Sequence, residues 1–187
     1  PISLLETEPV LKLQQIKIEG DLSVQNKIFF AELHKVNTAT SSGKIDFSMD
    51  FSDGIFLDLS YDYTRLNLSE MRPLGGSEME GYVRTHGTVI GPISELNIEG
   101  MLYLNDFSIM GLNLAHQAKA RFYGHRLKDY EFFDLQLQRG NTVLHGPMSM
   151  NFGKRIAINT HLEGKGNIED LSSIFFDLPD VYAPAKN

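Results

Sequence analysis

The chain of 187 residues contains no cysteine and no tryptophan. Without thiols there is no disulfide staple, no thiolate metal site and no cysteine nucleophile, and the redox compartment stays open because such a chain tolerates either setting. Basic residues are in the minority: 17 Lys and Arg against 24 Asp and Glu leave a formal charge of -7 and a pI near 5.3. Nucleic-acid binding needs clustered cations that displace counterions from phosphate, so no nucleic-acid partner is expected. Long apolar runs are missing too. The densest clusters, such as Ile174-Phe175-Phe176, fall far below the roughly 18 to 20 residues of a spanning helix, although 42% of the residues are apolar. That content suffices for one core or one continuous sheet.

Helical periodicity is nearly absent as well, with two exceptions. Asn67-Leu68-Ser69-Glu70-Met71 and Asn167-Ile168-Glu169-Asp170-Leu171 each put an N-cap Asn three residues ahead of a carboxylate, the arrangement by which a short helix satisfies its first free amides. The first is stopped by Pro73, whereas the second runs through Ile174 and Phe175 until Pro179.

What the chain does have is alternation. Ile45, Phe47, Met49 and Phe51 alternate with Lys44, Asp46, Ser48 and Asp50; after Ser52-Asp53-Gly54, the residues Ile55, Leu57, Leu59, Tyr61 and Tyr63 continue the pattern. A period of two over this length means a hairpin with one apolar and one acidic face. Leu96, Ile98, Leu102 and Leu104 alternate further on, as do Phe133, Leu135 and Leu137. Met148, Met150 and Phe152 follow, then Ile156, Ile158 and Leu162 beyond Gly153-Lys154. Turn residues recur throughout, from Gln25-Asn26 and Asp53-Gly54 to Gly140-Asn141 and Gly164, which suits hairpins laid side by side. The two Asn-capped strings, and a second matching pair at Ile16–Gly20 and Leu96–Gly100, point to an internal repeat whose second copy carries an extra hairpin within about 114–137.

Catalytic signatures are not found. Asp46, Asp50, Asp58 and Asp62 share one strand face, but a solvated outer surface explains them and no calcium-loop string occurs. The histidines at 34, 86, 116, 125, 145 and 161 are scattered without a zinc-type pair. Gly75-Gly76-Ser77 lacks a nucleophile elbow, and Gly164-Lys165-Gly166 lacks the third glycine and parallel setting of a dinucleotide site. Asn67-Leu68-Ser69 matches a glycosylation sequon, which its capping role already explains. No enzyme activity, cofactor or metal is expected.

A continuous apolar face has two outlets. It closes on itself as a β-sandwich or barrel, a scaffold for envelope assembly or adhesion, or it curls into an open trough. Strands of about 7 to 9 residues span roughly 23 to 30 Å, comparable with the hydrocarbon of a leaflet or a little more, given a bilayer core of about 30 Å. Met49, Met110, Met148 and Met150 beside Phe47, Phe51, Phe107, Phe133 and Phe152 offer an adaptable lining. Burial of methylenes at about 0.8 kcal/mol each then holds lipid without any reactive group.

The cadence Leu57-Asp58-Leu59, Asn67-Leu68-Ser69-Glu70-Met71-Arg72-Pro73-Leu74, Glu80-Gly81, Gly87-Thr88-Val89-Ile90-Gly91-Pro92-Ile93 and Ile98-Glu99-Gly100-Met101-Leu102 resembles that of the TamB and AsmA-like bacterial envelope proteins. Similar cadence returns at Leu162-Glu163-Gly164, Asn167–Leu171 and Leu178-Pro179, so the likeness covers about residues 10 to 180. The resemblance implies an all-β fold: an elongated, twisted antiparallel sheet curled into an open groove, a β-taco, with two short helices. Residues 10–187 would form one groove segment of two imperfect repeats, about 10–80 and 81–180, with 1–9 as an entry strand or a cut end. It further implies a periplasmic lipid-transfer bridge that shields phospholipid acyl chains between inner and outer membranes, anchored to the inner membrane by a segment absent from this chain. For TamB itself, a BamA-like outer-membrane partner is implied through regions outside this stretch. The expected lining is Ile45, Phe47, Met49, Phe51, Ile55, Leu57 and Leu59; Leu96, Ile98, Leu102 and Leu104; and Phe133, Leu135, Leu137, Met148, Met150, Phe152, Ile156, Ile158 and Leu162.

Overall fold

The computed structural model describes residues 16–70, 79–109, 111–126, 128–152, 156–167 and 169–170. They form one antiparallel sheet of 11 strands. The first four are β1 (Lys17–Gln25), β2 (Ile28–Asn37), β3 (Ser42–Asp50) and β4 (Phe56–Asn67). A 3-10 turn, Leu68–Glu70, ends β4, and a second, Ile93–Glu95, joins β5 (Met79–Pro92) to β6 (Asn97–Ile109). Then come β7 (Leu112–His125), β8 (Asp129–Arg139), β9 (Thr142–Phe152), β10 (Ile156–Thr160) and β11 (Glu163–Lys165).

From β1 to β10 each strand pairs with its sequence neighbours, and β11 continues the line of β10 along the same edge of β9. Such a meander follows from tight turns. At the β1–β2 turn Asn26 and Lys27 have φ of 49° and 65°, the positive pair that a two-residue type I′ hairpin requires.

The path does not return on itself: β1 pairs with β2 alone, and β10 and β11 with β9 alone among the described residues. The sheet is open, not a barrel. It is also curled, since Tyr61 on β4 and Ile158 on β10 line the same cavity. The curl has a local cause. Register shifts interrupt most of the pairings, for example between Tyr63 and Leu66 on β4 and between Phe132 and Leu135 on β8, and bulges of this kind bend and twist a sheet.

Cross-strand register carries apolar side chains along the concave face. One row runs Leu22, Ala31, Phe47, Leu59, Val89, Ile98, Gly124, Tyr130, Met150 and Ile158. Few of the apolar side chains are fully covered. Ala31, Val36, Leu68, Val83, Ala115, Ala118, Ala120 and Leu135 are buried, and half of these are alanines on the concave floor, so most of the apolar surface remains reachable from the open side.

Of the two expected helices, the first is corrected to a 3-10 turn, and of the second only Glu169 and Asp170 fall among the described residues. Among the described residues Asn67 is followed only by the 3-10 turn, and Met71 and Pro73 lie outside them; near Asn167 only Glu169 and Asp170 are described as helical, with Ile168 and Leu171 outside. The carboxylates that looked like capping-box partners reach to neighbouring turns instead. Glu70 accepts hydrogen bonds from the Thr38 hydroxyl at 2.8 Å and from the Thr40 and Ser41 hydroxyls. Asp170 accepts from the Asn141 amide at 3.0 Å and the Thr142 hydroxyl at 2.9 Å. In both places the Asn backbone N–H donates to the buried hydroxyl of the same turn at 2.9 Å, Asn67 to Ser41 and Asn167 to Thr142. One clamp is thus built twice, pinning the β2–β3 turn to the end of β4 and the β8–β9 turn to the segment after β11. The strings Ile16–Gly20 and Leu96–Gly100, by contrast, fall on β1 and β6, which run in opposite directions through the meander.

Candidate functional site

The concave face holds an apolar cavity of about 340 Å³. Strands β4 to β10 supply its walls, because each contributes the alternate residues that point inward. Of the expected lining, Ile98, Leu102, Leu104, Leu135, Leu137, Met148, Met150 and Ile158 are found here. Ile45, Phe47, Met49, Leu57 and Leu59 lie on the same face by register, each opposite another inward residue: Phe47 pairs with Leu59, Met49 with Leu57, and Ile45 with Tyr61. They extend the strip past the cavity toward β1. Met49 and Phe51 also line a separate hollow of about 430 Å³ with Val24, Lys27 and Phe29 at the turn end of β1 to β3.

The remaining expected positions are placed differently. Phe133 points to the convex face, where it pairs with Arg121 and is 43% exposed. The reason is a bulge: Asp134 takes φ of 52°, the pairing skips a residue between Phe132 and Leu135, and Phe132 becomes the inward ring. Ile55 is exposed before β4, while Leu96 and Leu162 are half-buried between strands; none of the three is in the cavity wall. Phe152 and Ile156 are backbone partners across β9 and β10, and their side chains, like Met110, lie outside the described residues.

Sequence reasoning did not single out Leu66, Val83, Phe122, Tyr130 or Phe132, which also line the wall. An alternation count would have flagged Val83 and Thr85 on β5; Phe132 was hidden by the bulge. The tyrosines are the distinctive part of the lining. Tyr63 sits opposite Gly43, Tyr61 opposite Gly87, and Tyr130 opposite Gly124. The Tyr63 and Tyr130 rings lie over their glycines, where a Cβ added at Gly43 would collide with the ring and one at Gly124 would come 2.7 Å from it, and the Tyr61 hydroxyl reaches over two, 2.7 Å from a Cβ added at Gly87 and 2.9 Å from one at Gly100. Glycine thus lets an aromatic ring lie flat against the sheet, which keeps the floor smooth and the trough unobstructed.

Burial pushes the Tyr61 phenol up to about 12 and raises those of Tyr63 and Tyr130, as expected where water is scarce. Thr85 lies near enough to the Tyr61 hydroxyl to offset part of the effect of burial, but it donates to the Met101 carbonyl at 2.9 Å, which leaves the phenol without a partner in bonding geometry among the described residues. The cavity wall therefore offers hydrocarbon contact and a few phenols. No group of three or more His, Asp or Glu able to hold a metal occurs among the described residues, and no helix there is long and apolar enough to cross a membrane. No family model matches the sequence, and neither curated proteins nor solved structures give a match.

Proposed function

We propose that this chain is a segment of a lipid-transfer bridge whose concave groove shields phospholipid acyl chains while their head groups stay in water. The observation that carries the reading is the open apolar strip: side chains that are inward by register yet only partly covered, on a sheet that neither closes nor is capped by a second layer among the described residues. An exposed apolar surface of this extent is costly in water unless something occupies it. Hydrocarbon suits it, because the wall is apolar, shallow and continuous, which favours many weak positions along its length over one tight site.

The resemblance of the sequence cadence to TamB and AsmA-like proteins supports a periplasmic setting between inner and outer membranes. An inner-membrane anchor and a BamA-like partner would be supplied by other parts of the protein. The mechanism proposed is desolvation alone, without covalent chemistry, metal or cofactor. Native mass spectrometry of protein purified without detergent tests the proposal. Phospholipid should accompany the folded chain, and a uniformly empty groove that also fails to take up added phospholipid would overturn it.

A further inference from the structure

The convex face distributes its charge unevenly. Cross-strand pairing sets Arg84, Tyr103 and Lys119 in one row over β5, β6 and β7. The row on one side holds Tyr82, Asn105 and Gln117, and that on the other His86, Met101 and Arg121. None of these positions carries a carboxylate, in a chain with 24 Asp and Glu. Arg65 adds a further cation, its guanidinium 4.1 Å above the Tyr82 ring.

Ion pairing shows the same contrast. Lys17, Lys35, Lys44, Arg121 and Arg126 each hold a carboxylate, whereas Arg65, Arg84 and Lys119 pair with none among the described residues; Lys27, Lys128 and Lys165 are also unpaired there, but they are isolated at turns and at the short last strand rather than gathered on neighbouring central strands. The nearest acids are engaged or lie beyond the field. Asp134 holds Arg121 at 2.6 Å, Asp62, across from His86, faces Lys44 at 3.9 Å, Asp106 beside Asn105 lies 3.4 Å from His116, and Glu99 falls in the following row. Like charges gathered on neighbouring strands repel one another, so this field is built for an anionic partner.

Tyr82 and Tyr103, 36% and 40% exposed, stand among the cations. Phenol rings between Lys and Arg suit the head-group layer of a bilayer, which takes an apolar ring and a polar tip together. Apart from an open hollow of about 360 Å³ beside His86, Met101, Arg121 and Phe133, the face is broad sheet, which matches a surface better than it matches a peptide strand or helix. The acidic net charge does not oppose this, because screening over about 8 Å at physiological ionic strength leaves the local field in control.

We propose that the convex field centred on Arg84, Tyr103 and Lys119 docks the protein on an anionic lipid bilayer. The proposal is independent of what the concave groove holds.

Flotation of the full chain with vesicles of phosphatidylcholine alone, and of phosphatidylcholine with phosphatidylglycerol, tests it. Binding should need the anionic lipid, fade at high salt, and fall roughly tenfold or more in Arg84→Glu/Lys119→Glu, since each cation near an anionic leaflet raises affinity several-fold. Arg84→Gln/Lys119→Gln should show a smaller loss with an unchanged circular dichroism spectrum, and it decides the matter if the reversal misfolds. Lipid that co-purifies in the groove should be the same in all variants, which separates this surface from the groove reading. Equal binding to both vesicle types, or full binding by the glutamine pair, would overturn the proposal. So would wild-type protein that binds polyglutamate but no vesicle, which would point to an acidic protein instead.

Discussion

At Gly87 and Gly100 two strands meet without side chains on the inner face, and Tyr61 from the adjoining strand covers both. A methyl group at Gly87 would collide with the Glu99 carbonyl and stand 2.7 Å from the Tyr61 hydroxyl. Gly87→Ala should therefore cost about 1 to 3 kcal/mol of overpacking, read as a lower urea midpoint. Tyr61→Phe should act in the opposite direction. It removes a buried hydroxyl that has no partner in bonding geometry among the described residues, a group whose desolvation costs about 1 to 3 kcal/mol, so the variant should match or exceed wild-type stability. The pH dependence has a definite sign. With the folded phenol at about 12 against an ordinary 10.0, its contribution is intact below pH 10 and is lost as pH rises toward 12. Absorbance titration of the phenolate should show a late wave in wild-type protein that is smaller in Tyr61→Phe, where Tyr63 and Tyr130 still titrate late, and denaturation of the variant should begin at higher pH. The alternation of the sequence already put Tyr61 and Tyr63 on the apolar face. That their rings lie flat was not legible, because it depends on which glycines the register brings opposite.

Turn clamps and bulges decide the shape of the elements. Three hydroxyls converge on Glu70; burial alone would raise its carboxyl, but the bonds from Ser41, Thr40 and Thr38 outweigh it and hold the group below the usual range. That stabilisation is present above the ordinary value of 4.5 and is lost as pH falls through the lower folded value. Glu70→Gln should cost about 1 kcal/mol at neutral pH, a modest figure because the group is near the surface, and should flatten the acid limb of stability against pH. An unchanged acid limb would remove the clamp from the account. Asp134 tests the bulge. At φ of 52° a β-branched side chain is strained by about 1 to 3 kcal/mol, so Asp134→Val should lower the unfolding midpoint where Asp134→Gly leaves it nearly level apart from the lost Arg121 pairing. The repeated Asn and carboxylate were visible in the sequence, and the cap holds at Asn67, whose Oδ1 accepts from the Ser69 backbone N–H at 3.1 Å; the role of the carboxylate was not legible, because local pattern cannot report a partner some 29 residues away, as Ser41 is from Glu70. The same limit misplaced Phe133: strict alternation assigns it inward, and one extra residue at the bulge turns it out.

For the whole molecule, hairpin order and the apolar face followed from period-two patterning and from turn residues at short intervals, so the antiparallel meander was legible. The degree of curl was not, since it accumulates from register shifts that no single run of residues reveals. Curl also sets how deeply each lining residue lies, and this gives the groove a test that separates depth from function. Leu135 is 2% exposed at the cavity floor, whereas Leu57 is half-buried on the shallower stretch toward β1. A carboxylate at the first position has no cation to meet and little water, so Leu135→Asp should cost about 3 kcal/mol or more and broaden or abolish cooperative urea unfolding. At the second the charge keeps part of its hydration, and Leu57→Asp should stay folded with a loss of about 1 to 2 kcal/mol. If hydrocarbon lies along the strip, the folded Leu57→Asp protein should nonetheless carry less phospholipid in native mass spectra, because the charge interrupts the apolar path at its open end. Wild-type lipid content in that variant would mean that the stretch from β1 to β4 is ordinary sheet surface and that any lipid site stops at the cavity; collapse of both variants would mean that the strip is a sealed core, in which no tail could travel.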